Sequence, residues 1–586
     1  MSGATADIRK KWWRTPLADR FALIREREEQ VFLGLALAIG AITGLAVVAF
    51  ILLTERLGMR LYPVGSASWR RGLFPIFGSM GIGYLLFRYF PNARGSGVPQ
   101  TKAALFAGDG RIGFRTVFGK FFCTSATLAC GIPLGREGPS VQVGGGIASL
   151  LGRSLGLSTE KVKALIPVGA AAAIAAAFNT PLAAVLFALE EIVGDLHAPV
   201  LGSVVLASGA AWLVLRLLLG NHPLFQVPAY KLGPPIELAF YALLGVLGGL
   251  LSAAFTKVLT GLRRRFLNLP RKTLWFQPVA GGIVVGLMGF FVPQVLGVGY
   301  GYVGEALNSN MAFKLMALLL VLKFVAVTVS YASGNAGGIF APSLFLGAML
   351  GGTLGGIVHH FLPQSTATSG AYALVGMGTL FAGIVRAPMT SVLMIFETTQ
   401  DYAVIVPLMI SNLISFFVSS RLQGEPIYEV LASQDGIHLP TRAVRERLTR
   451  HQVRDVICSL DEILSGSIGV ADALALARSS CFESWPVCEG GRLIGVISRS
   501  VLETAAKEME KTPLAEVVGH EAFPHLHSDQ PLSLALERMG EAGLDRLPVV
   551  SRADVHRMEG MVTLSDVLGA YGLKVEETKS QRTEPG

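Results

Sequence analysis

Long apolar stretches separated by short polar segments make up most of the chain. A transmembrane α-helix needs about 20 apolar residues to cross a hydrocarbon core of about 30 Å, and several of the stretches have that length. The pattern therefore predicts a polytopic α-helical membrane protein. The apolar stretches comprise residues 31–53, 165–189, 200–219, 236–255, 278–298, 311–329, 339–358 and 404–418.

Other apolar segments are too short to span a membrane alone or are interrupted by glycine and proline. Residues 74–87 form one such segment, and residues 334–342 contain an interruption. Irregular backbone at membrane depth is tolerated where it lines a cavity. These positions therefore predict broken helices around a transport site.

An internal repeat divides the predicted membrane region into two halves. Residues 169–190 and 376–397 each begin with glycine, carry a proline twelve positions later and end with a glutamate nine positions after that proline. A glycine-rich break lies upstream of each copy and ends at Pro139 or Pro342. Two halves with breaks at corresponding positions are typical of secondary transporters that bind their substrate where the halves meet.

The chain after residue 424 has a different composition, and from about residue 443 it is charged and mixed in pattern. Segments 486–502 and 548–568 each predict strand, turn, strand and then a helix that starts at Ser or Thr. We therefore expect a paired cytosolic module after the membrane region. The predicted organisation is a basic cytosolic segment 1–30, a transmembrane domain 31–430, a linker 431–442, two small domains 443–511 and 512–575, and a polar tail 576–586.

The composition supports the membrane assignment and argues against other classes of function. Hydrophobic residues make up 51% of the chain and charged residues 16%, whereas soluble proteins carry about 25% charged residues. The net charge is +9, and basic clusters near the N-terminus and in residues 263–272 follow the positive-inside rule. They predict cytosolic termini rather than nucleic-acid binding. The five cysteines lack metal-ligand spacing, and the sequence has no nucleophile–base constellation that predicts an enzyme.

Glu137 lies in the segment Gly-Arg-Glu-Gly-Pro at residues 135–139, between two apolar stretches. A carboxylate at membrane depth is costly, so such residues by default mark an ion or proton pathway. The neighbouring glycines and proline break the helix and free N–H groups that can face an anion. The segment therefore predicts anion handling coupled to protons.

Two further glycine-rich loops precede helices and can donate hydrogen bonds to an anion. Ser96, in residues 95–99, offers a hydroxyl beside a helix N-terminus, although an ordinary N-cap serine has the same pattern. The loop 334–342 offers the amides of Ile339 and Phe340, and such dipoles bind an anion without a fixed cation, which allows its release. A tight turn between packed helices is the alternative for this loop.

Glu191 is the acid at the repeat ends that lacks a counterpart. Glu190 matches Glu397, which predicts a structural role for that pair, whereas Glu191 aligns with Thr398. Glu191 is therefore a candidate proton site, with interfacial solvation as the alternative. Considered alone, Tyr428 after the last apolar stretch is typical of interfacial aromatic packing.

In their order along the chain, these segments resemble the CLC family of chloride channels and proton-coupled chloride exchangers. The resemblance covers about residues 31–430 and implies a CLC-type inverted repeat with broken helices. The tail resembles a pair of CBS domains, so the implied fold is a polytopic α-helical membrane protein followed by a cytosolic α/β CBS-domain pair. The segments that carry the resemblance are GSGVP (95–99), GREGP (135–139), GNAGGIFAP (334–342) and GEPIY (424–428).

The resemblance implies a role for each candidate residue. Glu137 corresponds to the external gating glutamate, whose carboxylate occupies an anion site when it is deprotonated and swings away when it is protonated. Glu191 corresponds to the internal proton-transfer glutamate of the exchangers. Chloride contacts are implied for Ser96, Ile339, Phe340 and Tyr428 at a central site, and for the backbone around Arg136 and Gly138 at an outer site.

The acid at position 191 favours a chloride/proton antiporter, because channels of the family generally lack it. A passive voltage- or pH-gated chloride channel remains the alternative. Ser96 favours chloride over nitrate, since nitrate-preferring relatives tend to carry proline at that position. Family members usually form homodimers with a separate pathway in each subunit, and we expect a multi-pass protein of the plasma (inner) membrane.

The resemblance to CBS domains implies at most one nucleotide site. Family sites use Ser or Thr followed three residues later by an Asp that holds the ribose. Thr563 and Asp566 fit that pattern, whereas the first copy has Ser498 and Val501. An adenosine nucleotide at Thr563 and Asp566 is one interpretation and a purely structural module is the other. Transport itself requires no cofactor in either case.

Overall fold

The computed structural model contains two compact units, which divide between Leu439 and Pro440. The predicted N-terminal segment up to residue 27, the linker from 440 to 442 and the tail 576–586 lie outside the described residues. The structure describes residues 28–63, 65, 67–196, 199–220, 224–225, 227–228, 230, 234–399, 402–437, 439, 451–458, 462–480, 482–509, 511–518 and 523–571.

The first unit is helical, and its first half contains long helices and short broken ones. A π-helical turn, Ala188–Val193, follows the seventh helix directly. The helices are α1 Glu28–Leu61, α2 Ser68–Arg88, α3 Val98–Phe106, α4 Phe114–Ala129, α5 Glu137–Ser154, α6 Thr159–Phe178, α7 Pro181–Phe187 and α8 Leu201–Leu219.

The second half repeats this alternation of long and short helices. Across the described residues, seven helical segments are long and apolar enough to cross a membrane. The helices are α9 Glu237–Leu267, α10 Pro278–Phe291, α11 Tyr300–Leu307, α12 Phe313–Ala332, α13 Phe340–Phe361, α14 Ser369–Val385, α15 Pro388–Thr399, α16 Ile405–Leu422 and α17 Ile427–Gln434.

The apolar stretch 165–189 is not one helix, because it breaks between α6 and α7. Asn179 ends α6 in the left-handed conformation, with φ 60°, and Pro181 starts α7. Arg386 ends α14 with φ 65°, just before α15 begins at Pro388. Since proline cannot continue a preceding helix, both halves break at the same point of the repeat.

Glycine contacts hold one helix pair together in each half. A Cβ atom added to Gly169 on α6 would overlap the carbonyl oxygen of Gly144 on α5, and a Cβ on Gly144 would overlap that of Gly169. Gly347 on α13 and Gly376 on α14 have the same reciprocal relation. Only glycine permits these backbones to approach so closely, as in other membrane helix pairs.

The second unit contains the two predicted strand–strand–helix copies. Strand β2 lies between β1, which it pairs with in parallel, and β3, which it pairs with antiparallel, while β4 and β5 form an antiparallel pair. The strands are β1 Leu464–Ser465, β2 Ser484–Glu489, β3 Arg492–Ser498, β4 Arg546–Val550 and β5 Met558–Thr563, and the helices are α18 Val470–Ser479, α19 Arg499–Glu508, α20 Leu514–Val518, α21 Leu532–Ala542 and α22 Leu564–Ala570.

Each copy of the second unit has its own apolar core. Trp485 and Val487 of β2 lie in one cluster, and Leu547 and Val549 of β4 lie in the other. The Ser484 hydroxyl, at the start of β2, donates a hydrogen bond of 2.6 Å to the Asp545 carboxylate before β4. This contact links the two copies at the starts of their equivalent strands.

Candidate functional site

The glycine-rich breaks of the two halves pair with each other at the centre of the first unit. Gly135 and Gly338 exchange two backbone hydrogen bonds of 2.8 and 2.7 Å in an isolated antiparallel bridge. The bridge brings the start of α5 at Glu137 beside the start of α13 at Phe340. Two helix N-termini therefore direct unpaired N–H groups and positive dipole ends toward one region, an arrangement suited to an anion.

The Ser96 loop packs directly onto the start of α5. A Cβ atom on Gly138 would lie 2.6 Å from the Ser96 carbonyl oxygen and 2.8 Å from its hydroxyl oxygen, so only glycine fits there. Gly97 immediately precedes α3 as its N-cap residue and has φ 103°, a conformation that favours glycine. The glycines of both segments thus allow the fully buried Ser96 to approach the α5 N-terminus.

Tyr428 completes this group from α17, where it is the second residue and is fully buried. Its hydroxyl faces the Ser96 hydroxyl, yet neither forms a hydrogen bond of standard geometry with any described residue. Buried hydroxyl groups are rarely left unpaired, because each unpaired group costs free energy. The two hydroxyls are therefore available as donors to an anion.

The Phe340 backbone amide stands at the first residue of α13, while its ring lies in an aromatic cluster. The ring centroid is 4.8 Å from that of Phe178, 5.6 Å from Phe187 and 4.4 Å from Phe381. Ile339 immediately precedes α13 as its N-cap residue. The cluster fixes the start of α13, so the amides of both residues stand at a rigid helix end.

The Glu137 side chain is fully buried beside these donors. One carboxylate oxygen, Oε1, accepts a hydrogen bond from the Tyr300 hydroxyl. The other, Oε2, lies against Gly135 near the Ala341 amide and has no hydrogen-bond partner of standard geometry among the described residues. The carboxylate therefore occupies part of the region that the two helix N-termini face.

Arg136 lies next to Glu137 and is largely buried. Its Nη1 atom is 3.8 Å from the Glu55 carboxylate, and its guanidinium carbon is 5.5 Å from the centre of the Tyr300 ring. The guanidinium group is thus held by Glu55 and the Tyr300 ring, while the Arg136 backbone remains at the start of α5.

Glu191 lies in the π-helical turn after α7 and forms a buried ion pair with Lys102 of α3. The Lys102 Nζ atom is 2.8 Å from the Glu191 carboxylate, and 3% and 7% of the two side chains are exposed. Both Glu191 and Glu137 lie within electrostatic range of the Tyr428 hydroxyl. The sequence interpretation missed Lys102, although it is the one charged residue of this short helix in the membrane region and therefore a signal of a buried charge pair.

Glu190 and Glu397 have the structural role that the repeat predicts, and each caps a helix of the other half. The Glu190 carboxylate accepts hydrogen bonds from the Met389 and Thr390 amides at the start of α15, at 3.2 and 2.8 Å. The Glu397 carboxylate accepts from the amides of residues 182 and 183 at the start of α7, at 2.9 and 2.8 Å. Carboxylates at these positions satisfy otherwise unpaired N–H groups.

Two fully buried lysines, which the sequence interpretation also missed, hold corresponding loops. The Lys120 ammonium donates to the carbonyl oxygens of residues 93 and 95, at 3.0 and 2.6 Å, before α3. The Lys323 ammonium donates to those of Val295 and Gly297, at 3.0 and 2.7 Å, before α11. Each lysine fixes the loop that leads into a short helix beside the site.

In the second unit, Thr563 and Asp566 lie together at the start of α22. The Asp566 amide donates a hydrogen bond of 3.1 Å to the Thr563 hydroxyl, which also lies 2.5 Å from the Asp566 carboxylate. The equivalent Ser498 contacts Ser500 instead, and Val501 is exposed. Across the described part of both units, no cluster of three or more His, Cys, Asp or Glu residues could hold a metal ion.

Comparison with protein-family models gives two matches. A model described as voltage gated chloride channel matches residues 76–420, and a CBS-domain model matches residues 514–572. The first match covers more than half of the chain.

Among curated relatives, the H+/Cl− exchange transporter ClcA of Vibrio campbellii is 34% identical over 354 residues, which are 59% of this chain and 76% of the relative. The ClcA protein of Vibrio parahaemolyticus is 33% identical over 357 residues, which are 60% of this chain and 76% of that relative.

Solved structures agree with this fold. A slow cyanobacterial Cl−/H+ antiporter has a TM-score of 0.64 at 28% identity, over 69% of this chain and 97% of that chain. A eukaryotic CLC transporter has a TM-score of 0.61 at 19% identity, over 93% of this chain and 98% of that chain, and it supports the fold alone. The predicted fold class is therefore confirmed, and the chain belongs to the CLC family of voltage-gated chloride channels and carries a CBS domain after its membrane unit.

Proposed function

We propose that this protein is a chloride/proton antiporter with Glu137 as a movable gate. The observation that carries the proposal is the convergence of two unpaired buried hydroxyls, Ser96 and Tyr428, on the helix N-termini beside the Glu137 carboxylate. The relatives named as H+/Cl− exchange transporters support the same activity.

The proposed central chloride site uses neutral donors. The hydroxyls of Ser96 and Tyr428 and the amides of Ile339 and Phe340 would donate to the anion, and the backbone from Arg136 to Gly138 would form an outer site. Because hydroxyl and amide dipoles attract chloride without a fixed cation, the anion binds and leaves readily.

The proposed proton route uses Glu137 and Glu191. A deprotonated Glu137 competes with chloride for the α5 and α13 N-termini, since both are anions. Protonation removes its charge, so the side chain leaves the site and chloride enters. Glu191 exchanges the proton with the side of the membrane opposite to Glu137. The Tyr428 hydroxyl interacts electrostatically with both carboxylates, which supports a route between them.

Reconstitution of the full-length protein in liposomes tests this activity. With a chloride gradient and no pH gradient, we expect protons to move against the chloride flux and to stop when the gradient is dissipated. A passive channel would instead give currents that reverse at the chloride equilibrium potential at every pH, with no proton movement. That result would reject antiport.

The proposed assembly is a homodimer with one pathway per subunit, inserted in the plasma (inner) membrane with both termini cytosolic. Membrane helices are established by the family and by the apolar segments. We retain the domain boundaries at residues 30, 430, 442, 511 and 575 as part of this proposal. The function requires no catalytic chemistry, in keeping with relatives that are transporters.

The proposed nucleotide site of the CBS pair is Thr563 with Asp566. Their contact at the start of α22 brings a hydroxyl and a carboxylate together, as recognition of a ribose needs. Equilibrium binding of labelled ATP to the full-length protein tests it: Asp566→Ala is expected to abolish binding, whereas Val501→Ala at the equivalent position is expected to leave it unchanged. Equal ATP binding by both variants would reject the site.

A further inference from the structure

The Tyr300 hydroxyl donates a hydrogen bond to the Glu137 carboxylate, a contact that the proposed transport cycle does not use. Tyr300 is the first residue of α11 in the second half of the membrane unit, whereas Glu137 starts α5 in the first half. The carboxylate of one half is therefore held by a side chain of the other.

The Tyr300 ring is itself held on two sides. The Phe225 ring packs edge-on against it, with centroids 5.9 Å apart and an angle of 69°. The Arg136 guanidinium lies 5.5 Å from the ring centre. These aromatic and cation–π contacts orient the ring, so its hydroxyl is directed at Glu137 before any proton moves.

The start of α11 is anchored to its surroundings. The buried Lys323 ammonium binds the Val295 and Gly297 carbonyl oxygens, and the Gly297 amide donates a 2.8 Å hydrogen bond to the Gly131 carbonyl oxygen. Gly299, with φ 87°, leads into Tyr300, and a Cβ atom there would lie 2.7 Å from the Phe345 ring. A functional side chain supported in this way keeps a fixed position.

The far end of α11 is also fixed. The Tyr230 hydroxyl donates a 2.7 Å hydrogen bond to the Leu307 carbonyl oxygen at the last residue of the helix. The helix is thus tied at both ends, and it presents the Tyr300 phenol as a rigid donor.

We propose that Tyr300 is a positioning residue that holds the ionised Glu137 carboxylate at the α5 and α13 N-termini, and so sets how readily chloride displaces it. The proposal rests on the function of Glu137 proposed above. The phenol distinguishes the two states of the gate, because a hydrogen bond to a carboxylate is about twice as strong as one to a neutral group.

Removal of the hydroxyl is expected to shift the competition toward chloride. Tyr300→Phe keeps the ring and its contacts with Phe225 and Arg136 but cannot donate to Glu137. A hydrogen bond to a charged group corresponds to a factor of about ten or more in an equilibrium constant. We therefore expect the chloride Kd to fall about tenfold, with a parallel fall in the KM for chloride.

A double-mutant cycle on the purified full-length protein tests the proposal. Chloride Kd is measured by calorimetry for the wild type, Tyr300→Phe, Glu137→Ala and the double variant. Tyr302→Phe is the matched control, because Tyr302 is on the same helix beside Arg71 and Glu305. We expect Tyr300→Phe to lower the chloride Kd about tenfold when Glu137 is present, and to change it less than about twofold in the Glu137→Ala variant.

If Tyr300→Phe changes the chloride Kd equally in the wild type and in Glu137→Ala, Tyr300 has a purely structural role and the proposal is overturned. The proposal is also overturned if Tyr300→Phe leaves the chloride Kd unchanged when Glu137 is present. Chloride binding by the double variant reports that the fold is intact. The calorimetric cycle does not depend on proton transport. If the wild-type protein moves chloride without protons in liposomes, antiport is rejected, but the calorimetric cycle still measures the coupling between Tyr300 and Glu137.

Discussion

The two halves of the membrane unit share a backbone design but carry different chemistry. In both halves, a glycine pair joins two long helices, a buried lysine holds the loop before a short helix, and a terminal glutamate caps a helix of the opposite half. These features serve packing and hydrogen bonding, which both halves need equally.

The halves differ at the positions that face the site. The first residue of α5 is Glu137, whereas the first residue of α13 is Phe340, whose ring is enclosed by other rings. Glu191 is buried and paired with a lysine, whereas its counterpart Thr398 donates a 2.7 Å hydrogen bond to the carbonyl of residue 394. The first half thus carries the two carboxylates, and the second half supplies amides, apolar rings and the Tyr300 and Tyr428 hydroxyls.

The largest effect is expected from removing the cation of the buried Lys102–Glu191 ion pair in the first half. Lys102→Met leaves Glu191 buried without its cation, and breaking a buried pair in this way costs about 3–5 kcal/mol of stability. The free energy of unfolding in a detergent–SDS titration measures this loss. The position of Thr398 in the second half needs no such cation, because its side chain is neutral.

The matched variant for this prediction removes both charges. Lys102→Met combined with Glu191→Met is expected to recover most of the lost stability, since apolar residues of similar volume replace buried ion pairs well. If the double variant is as unstable as Lys102→Met alone, the loss comes from packing around Lys102 and the ion-pair explanation is wrong.

The shared backbone design predicts equal damage in the two halves. Gly169→Ala and Gly376→Ala each place a methyl group on a backbone carbonyl oxygen that cannot move aside, so each is expected to cost about 3 kcal/mol. Size-exclusion chromatography after heating measures the loss of folded protein. Gly209→Ala on α8 is the control, because a Cβ atom there meets open space, and a loss confined to one half would contradict the shared design.

The reciprocal caps predict a smaller effect that crosses between the halves. Glu190→Gln and Glu397→Gln each weaken a carboxylate cap, at a cost of about 1 kcal/mol. Hydrogen exchange is expected to accelerate at the Thr390 amide in Glu190→Gln and at the Ala183 amide in Glu397→Gln. Acceleration in the half that contains the substitution would contradict the reciprocal capping, and transport coupling is expected to persist in both variants.

The sequence predicted the repeat, the breaks and the capping pair because each has a local signal. Glycine and proline mark where the helices break, and the glutamates recur at fixed spacing in both copies. The sequence also distinguishes Glu191 from the capping pair, because Thr398 stands at the corresponding position of the second copy.

The partners of the candidate residues were not predictable from these signals. Lys102 and Glu191 are 89 positions apart, and Tyr300 and Glu137 are 163 positions apart. Such contacts depend on how the two halves pack, and a single sequence does not specify that packing. The apolar stretch 165–189 was expected to be continuous, but its Asn-Thr-Pro segment at residues 179–181 is a local signal for the break that the structure shows.

Proton movement by the Glu137→Gln variant tests the central claim most directly. In liposomes with a chloride gradient, wild-type protein is expected to drive protons against the chloride flux. Glu137→Gln is expected to conduct chloride while proton movement falls to the level of protein-free vesicles, because glutamine cannot carry the proton. Chloride-driven proton movement that persists in Glu137→Gln would contradict the assignment of Glu137 as the proton-coupled gate.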